Sequence, residues 1–282
     1  MFSIVYQLIA PGATVSAGGR FRQVPAAMFT EKSSVRRGRG LTSAGEYHNE
    51  PLTCIREGLL GHRSAMTLQT IEFGDRSSDL RLIQPVDEHD LSGMEREIAA
   101  IRELTGSSFQ LTSVPVPRWN QDLSPWPAAP VFGREGFGDG APGLLQDILH
   151  LVERETRSII LGGYSLAGLF SLWAGYQTDR FAGVAAVSPS VWFPGFTAYM
   201  EQQQISAPCV FLSLGDREEK TRNPVMSTVG DCIRTAYDLL SRQGVACTLV
   251  WNEGNHFREP DLRCARGFAW VMNHISRSEK GW

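Results

Sequence analysis

The chain has 282 residues, 42% hydrophobic and 20% charged, and its 27 Lys and Arg against 30 Asp and Glu leave a formal net charge of −3. These are ordinary values for one large or two small globular domains. They supply no general field for nucleic acid, and no basic stripe with interleaved aromatics runs through the C-terminal two thirds. No apolar run approaches the roughly 20 residues that span a bilayer, so neither nucleic acid nor membrane is expected as a partner. Cys54, Cys209, Cys232, Cys247 and Cys264 are scattered, odd in number and without Cys-x-x-Cys spacing. That pattern argues against a zinc cluster or a disulfide framework and fits a reducing cytoplasm.

Residues 1–65 differ from the rest. Arg20, Arg22, Lys32, Arg36, Arg37, Arg39, Arg56 and Arg63 outnumber Glu31, Glu46, Glu50 and Glu57, and no helical or alternating period is sustained. Such a segment buries too little apolar surface to offset its ordering entropy, so a poorly ordered leader is expected. The Arg36-Arg37-Gly38-Arg39 cluster reads as a solvated tail. Apolar Met1 to Ala10 lacks the basic start of a secretory signal and contains Gln7. Patterned sequence begins at Met66, which would suit a natural start with an upstream extension before it.

From there strands and helices alternate. Thr67 to Phe73 alternates like a strand, and Leu80 to Val86 reads as a second. Gly93 to Leu104 has the apolar stripe of a helix, and Phe109 to Val116 reads as a strand. Gly143 to Thr156 places Leu144, Leu145, Ile148 and Leu151 at helical spacing. Arg157 to Gly162 is a strand and Leu166 to Gln177 a helix. Val184 to Val187 and Cys209 to Leu214 are short apolar strands. Pro224 opens a helix to about Arg242, Val245 to Trp251 is the last strand, and Pro260 to about Ser276 the closing helix. Repeated β-α alternation implies an α/β fold with a mostly parallel sheet and helices on both faces, over residues 66–282.

The most informative segment is Ser158-Ile159-Ile160-Leu161-Gly162-Gly163-Tyr164-Ser165-Leu166-Ala167-Gly168-Leu169-Phe170. A strand that turns at once into a helix exposes a serine hydroxyl at the bend. Gly163 and Ala167 flank Ser165 because strand and helix approach closely there. The N–H groups that open the helix, Leu166 first, suit a developing oxyanion.

Serine needs a base to take its proton and a third group to orient that base. His256 is the best candidate, in the polar loop Asn252-Glu253-Gly254-Asn255-His256-Phe257 directly after a strand. His150 and His274 fall in helices, and His48 and His62 in the leader. The loop after Leu212-Ser213-Leu214 offers Asp216, Glu218 and Glu219, and spacing does not choose among them. The order serine, acid, histidine is that of α/β-hydrolases.

These segments resemble a bacterial esterase family of α/β-hydrolases that includes enterochelin-esterase-like proteins, feruloyl esterases and the esterase D-like S-formylglutathione hydrolases. The resemblance covers about Met66 to Asn273. It is carried by Gly163 to Phe170, by Val187-Ser188-Pro189-Ser190-Val191-Trp192, by Gly215-Asp216-Arg217-Glu218 and by Gly254-Asn255-His256-Phe257. Ala167 replaces the commoner glycine. The resemblance implies an α/β-hydrolase fold with Ser165 as nucleophile, Glu218 as orienting acid and His256 as base, with Asp216 in reserve. It implies a carboxylic-ester hydrolase acting on a small-molecule ester through an acyl-enzyme, with no metal or organic cofactor. The same triad would serve acyl transfer; a non-catalytic binding scaffold would predict a broken one.

A second oxyanion donor is expected after Leu80 to Val86, from the backbone of Asp87 or Glu88. Asp87, His89 and Asp90 have no third cluster that would complete a metal site. Residues 119–140 read as a long loop whose Trp119 and Trp126 either wall a binding pocket or cap the core. Trp192 and Tyr164, near the serine, join them as expected substrate-binding positions.

Overall fold

The computed structural model describes residues 68–279; the leader expectations, including Arg36, Met66, His48, His62 and Cys54, lie outside them. Seven strands form one sheet in the order β1-β3-β2-β4-β5-β6-β7. They are β1 (Ile71–Gly74), β2 (Leu80–Val86), β3 (Gln110–Pro115), β4 (Ser158–Tyr164), β5 (Gly183–Val187), β6 (Cys209–Gly215) and β7 (Ala246–Asn252). Only β1 is antiparallel to its neighbour β3; the other pairings are parallel. β4, β5 and β6 are buried almost throughout, as expected of central parallel strands covered on both faces. One layer of core gathers Ile83, Leu161, Leu169, Phe170, Val184 and Leu212; the other gathers Leu82, Ile160, Phe211 and Phe268.

The helices are α1 (Glu88–Thr105), α2 (Trp119–Asp122), α3 (Ala141–Leu151), α4 (Leu166–Gln177), α5 (Phe196–Gln202), α6 (Val229–Arg242) and α7 (Pro260–Glu279). β2 and α4 match the sequence reading at both ends. α1 begins five residues before the expected Gly93, because Asp87 caps it: Asp90 N–H donates to Asp87 Oδ1 at 2.8 Å, and Asp87 N–H donates to Asp90 Oδ2 at 3.2 Å. This reciprocal pair satisfies donors that a bare helix start leaves open. α6 starts after the expected Pro224, because Asn223 Oδ1 accepts the Val225 and Met226 N–H groups and holds that proline in a turn. The short helices α2 and α5 carry too few residues for a period to be seen in sequence.

At the starts of the strands, Arg81 (5% exposed) fastens the edge. Its Nη1 lies 2.6 Å from Glu155, its Nη2 3.3 Å from Glu72 on β1, and its Nε donates to Thr112. A buried guanidinium is tolerated because its rigid fork meets a partner on each arm.

Between α1 and β2, Gln84 Nε2 donates to Glu97 Oε2 at 3.4 Å, yet Glu97 Oε1 and Gln84 Oε1 are both buried without a partner. Burial, opposed by the Gln84 hydrogen bond but reinforced by the charges of Asp90 and Asp261, holds the Glu97 carboxyl well above the usual carboxylate range. A proton on Glu97 supplies the donor that these two acceptors need. The native state therefore binds a proton that the unfolded chain gives up near 4.5. Its stabilising contribution is complete below that pH and is lost as pH rises through the folded value, at about 1 kcal/mol per pH unit. Glu97→Gln, which keeps the shape and supplies its own N–H, should melt a few degrees higher than wild type at pH 8. The gap should close toward pH 4.5; parallel Tm-versus-pH curves would refute the assignment.

Candidate active site

The turn from β4 into α4 is sharp. Ser165 has φ 58° and ψ −118°, a conformation that costs a non-glycine residue about 1–3 kcal/mol. The surroundings hold it there: Ser165 N–H donates to Val187 O, Ser190 N–H donates to Ser165 O, and Leu169 N–H does the same, each at 3.0 Å. A Cβ on Gly163 would stand 2.7 Å from Ala167 Cβ, and one on Gly168 would stand 2.9 Å from Gly163 O. The small residues that frame the serine are therefore a packing requirement. α4 has no side-chain cap, and its first N–H groups, Leu166 among them, have no intrahelical acceptor.

The loops after β6 and β7 bring the remaining groups together. Ser165 Oγ lies 3.0 Å from His256 Nε2, and His256 Nδ1 lies 2.6 Å from Glu218 Oε2. The three candidate acids separate cleanly. Asp216 Oδ1 accepts the Gly254 N–H at 2.7 Å and so clips one loop to the other. Glu219 faces Arg234 at 3.4 Å. Glu218 alone faces the imidazole.

Glu218 is well held. Its Oε1 accepts from Gly215 N–H at 2.6 Å, Ser188 Oγ at 2.9 Å and Arg263 Nη1 at 2.9 Å. Burial by itself would raise its pKa, but the His256 charge and hydrogen bond, the Gly215 N–H and the Ser188 hydroxyl outweigh burial and set it below the usual value. An ionised carboxylate on Nδ1 fixes the tautomer that leaves Nε2 free to accept a proton from Ser165.

Other expected positions lie elsewhere. Tyr164 packs against the His256 ring, with centroids 5.0 Å apart. Its ring is 6% exposed, and its hydroxyl donates to His256 O at 2.7 Å while accepting from Arg263. Burial first, then the Glu218 charge, drives its pKa upward. The Asp87 N–H expected at the oxyanion donates to Asp90 Oδ2 at 3.2 Å, and Glu88 stands in the first turn of α1. Burial, with the Asp87 charge, pushes the Asp90 carboxyl up to about 7. Among the described residues no group of three or more His, Cys, Asp and Glu is placed to hold a metal ion, and no helix is long and apolar enough to cross a membrane.

Residues 119–140 are less open than their composition suggests. Ala128 bridges Phe137, Gln121 Nε2 donates to Gly136 O, and Asn223 Nδ2 reaches Val131 O from the loop after β6. Trp126 is half-buried, with its Nε1–H on Pro194 O at 2.9 Å and its ring against Phe193, Phe196 and Tyr199. Trp192 is 9% exposed and packs edge-on to Phe132 and Phe137. Trp119 is half-buried and packs against the same core. The rings of all three tryptophans pack against the core.

Sequence reasoning missed Ser188, Ser190 and Arg263. Ser190 Oγ is 3.4 Å from Ser165 Oγ and 3% exposed. Arg263 lies on the buried face of α7, ahead of the buried Cys264, Phe268 and Val271. An arginine at helical spacing within an apolar stripe is the signal that a buried anion must meet it.

The sheet order, the elbow and the loop positions define an α/β-hydrolase fold. No family model matches the chain, and no curated protein sequence does. Solved structures do. The siderophore hydrolase EstA from Aspergillus nidulans superposes with a TM-score of 0.54 at 17% identity, over 80% of this chain and 100% of that one. An IroE-like serine hydrolase from Shewanella oneidensis gives 0.56 at 14% identity, over 72% and 79%. The enterobactin esterase FES from Shigella flexneri, with 2,3-dihydroxy-N-benzoyl-glycine present, gives 0.53 at 14% identity over 73% of this chain, which spans only 55% of that one. At these identities the likeness establishes the fold.

Proposed function

We propose that the chain is a serine hydrolase that cleaves a carboxylic ester through an acyl-enzyme. The observation that supports this most is His256, 3.0 Å from Ser165 Oγ on one side and 2.6 Å from Glu218 on the other. Ser165 Oγ attacks the ester carbonyl as its proton passes to His256 Nε2. Glu218 stabilises the imidazolium without taking its proton. Backbone N–H groups at the elbow, with Leu166 first, receive the tetrahedral oxyanion. The imidazolium then protonates the leaving alcohol and an acyl-serine remains. Water, deprotonated by His256, attacks the acyl group, and the proton returns to Ser165 as the acid leaves.

The names of the superposing structures, a siderophore hydrolase and an enterobactin esterase, favour a small-molecule ester as substrate. The four described cysteines are free thiols, which supports a reducing compartment such as the cytoplasm. A fluorophosphonate should add to the folded protein at a single site, Ser165, as read by peptide mass. A folded chain that stays unlabelled would leave only a binding scaffold.

A further inference from the structure

Among the described residues, Arg263 heads the fully buried side chains by volume. Its guanidinium is 1% exposed and the Glu218 carboxylate beside it 4%. A cation so far from water persists only where geometry and hydrogen bonding offset its desolvation. Here both arms are engaged. Nη1 donates to Glu218 Oε1 at 2.9 Å and to Tyr164 Oη at 3.1 Å, with Ser188 Oγ at 3.4 Å. Nη2 donates to Glu253 O at 3.1 Å and to Asn255 O at 3.0 Å. Those two carbonyls belong to the loop that carries His256.

We propose that Arg263 is a positioning residue for the Ser165, His256 and Glu218 constellation, one buried fork that fixes the acid and the histidine loop together. The proposal rests on the serine-hydrolase reading. One arm sets the carboxylate and the tyrosine whose hydroxyl supports His256 O; the other sets the carbonyls of residues 253 and 255. A lysine, with a single ammonium on a flexible stem, cannot reproduce a planar double engagement.

The arrangement also has an electrostatic consequence. Glu218 is shared between Arg263 on Oε1 and His256 on Oε2. The guanidinium therefore meets the carboxylate on the oxygen that the imidazole does not use. Remove the guanidinium, and the uncompensated carboxylate holds the imidazolium to higher pH. Other groups around Arg263 are Asp216 beside Glu218, Tyr164 from β4, Glu253 in salt bridge with Arg258, and Asp261, in salt bridge with Arg96. Cys264 follows it on α7, with Asp90 and Glu97 of α1 toward that side.

The test uses the full chain with Arg263→Met and Arg263→Lys, folding checked by circular dichroism. Two readouts are followed: NMR titration of the His256 ring, which needs no turnover, and kcat/KM against pH for p-nitrophenyl acetate. In Arg263→Met the ring titration and the acidic limb should both rise by about one pH unit, and kcat should fall ~10- to 100-fold with KM little changed. Arg263→Lys should restore the limb but only part of kcat. A folded Arg263→Met with wild-type titration and rate would overturn the proposal. If that variant does not fold, Glu218→Gln and the charge-free pair Glu218→Gln/Arg263→Met are compared. The pair should turn over about tenfold more slowly again, because the carbonyls of residues 253 and 255 lose their donor; equal rates for these two overturn the joint fixing of acid and loop. The hydrolase reading fails separately, if Ser165→Ala hydrolyses the ester as fast as wild type.

Discussion

His256→Ala should reduce kcat for short p-nitrophenyl esters by roughly 10⁴- to 10⁶-fold, Ser165→Ala by as much, and the double variant by no more than either alone. Groups that act as one unit lose nearly everything when the first is removed. Here the unit is physical, since the 3.0 Å and 2.6 Å contacts share one imidazole. Glu218→Gln presents the wrong partner to Nδ1 and should cost about 10³- to 10⁴-fold. Asp216→Asn keeps an oxygen for the Gly254 N–H and should retain most activity. Rates with all five variants decide the matter: multiplicative losses in the double variant, or a larger effect at Asp216 than at Glu218, would dismantle the proposed triad.

The second large effect is expected at the elbow. Gly163→Ala forces its new methyl to 2.7 Å from Ala167 Cβ and 2.9 Å from Ala167 C. Overpacking of this kind costs about 1–3 kcal/mol, and more where backbone must move. The displaced atoms open α4, so the fraction that folds should also hydrolyse esters ~100-fold slower, through loss of alignment at Ser165. Adding Ala167→Gly removes one clash and leaves the backbone one, so the pair should recover part of both losses. Denaturant midpoints and rates for the four proteins of this cycle measure it. Full recovery, or none, would contradict the close approach described at the bend.

Much of this was readable before any coordinates. Strands β2, β4 and β6, the elbow and the loops that present Glu218 and His256 follow from apolar runs ending in glycine and polar residues, because parallel strands aim their C-terminal ends at one edge. The resemblance singled out Glu218, and the geometry gives the reason: Asp216 and Glu219 already have other partners. Less was readable where long-range contacts decide. Tyr164 sits next to the serine in sequence, yet alternation along β4 turns its ring to the other side of His256. Asp87 was read as a free backbone group because its reciprocal cap with Asp90 was not recognised. For Trp126 the choice between pocket wall and core cap stays open in the sequence, since nothing local announces that Phe193 and Phe196 will meet its ring. Nothing local in the sequence ties Arg263 to Glu218, 45 residues earlier in the chain.

The stretch between α2 and α3 is pinned where Trp126 meets Pro194 O and where Asn223 meets Val131 O. Neither pin touches Ser165, His256 or Glu218. Loosening either pin would therefore free the stretch between α2 and α3 while the contacts among Ser165, His256 and Glu218 stay in place.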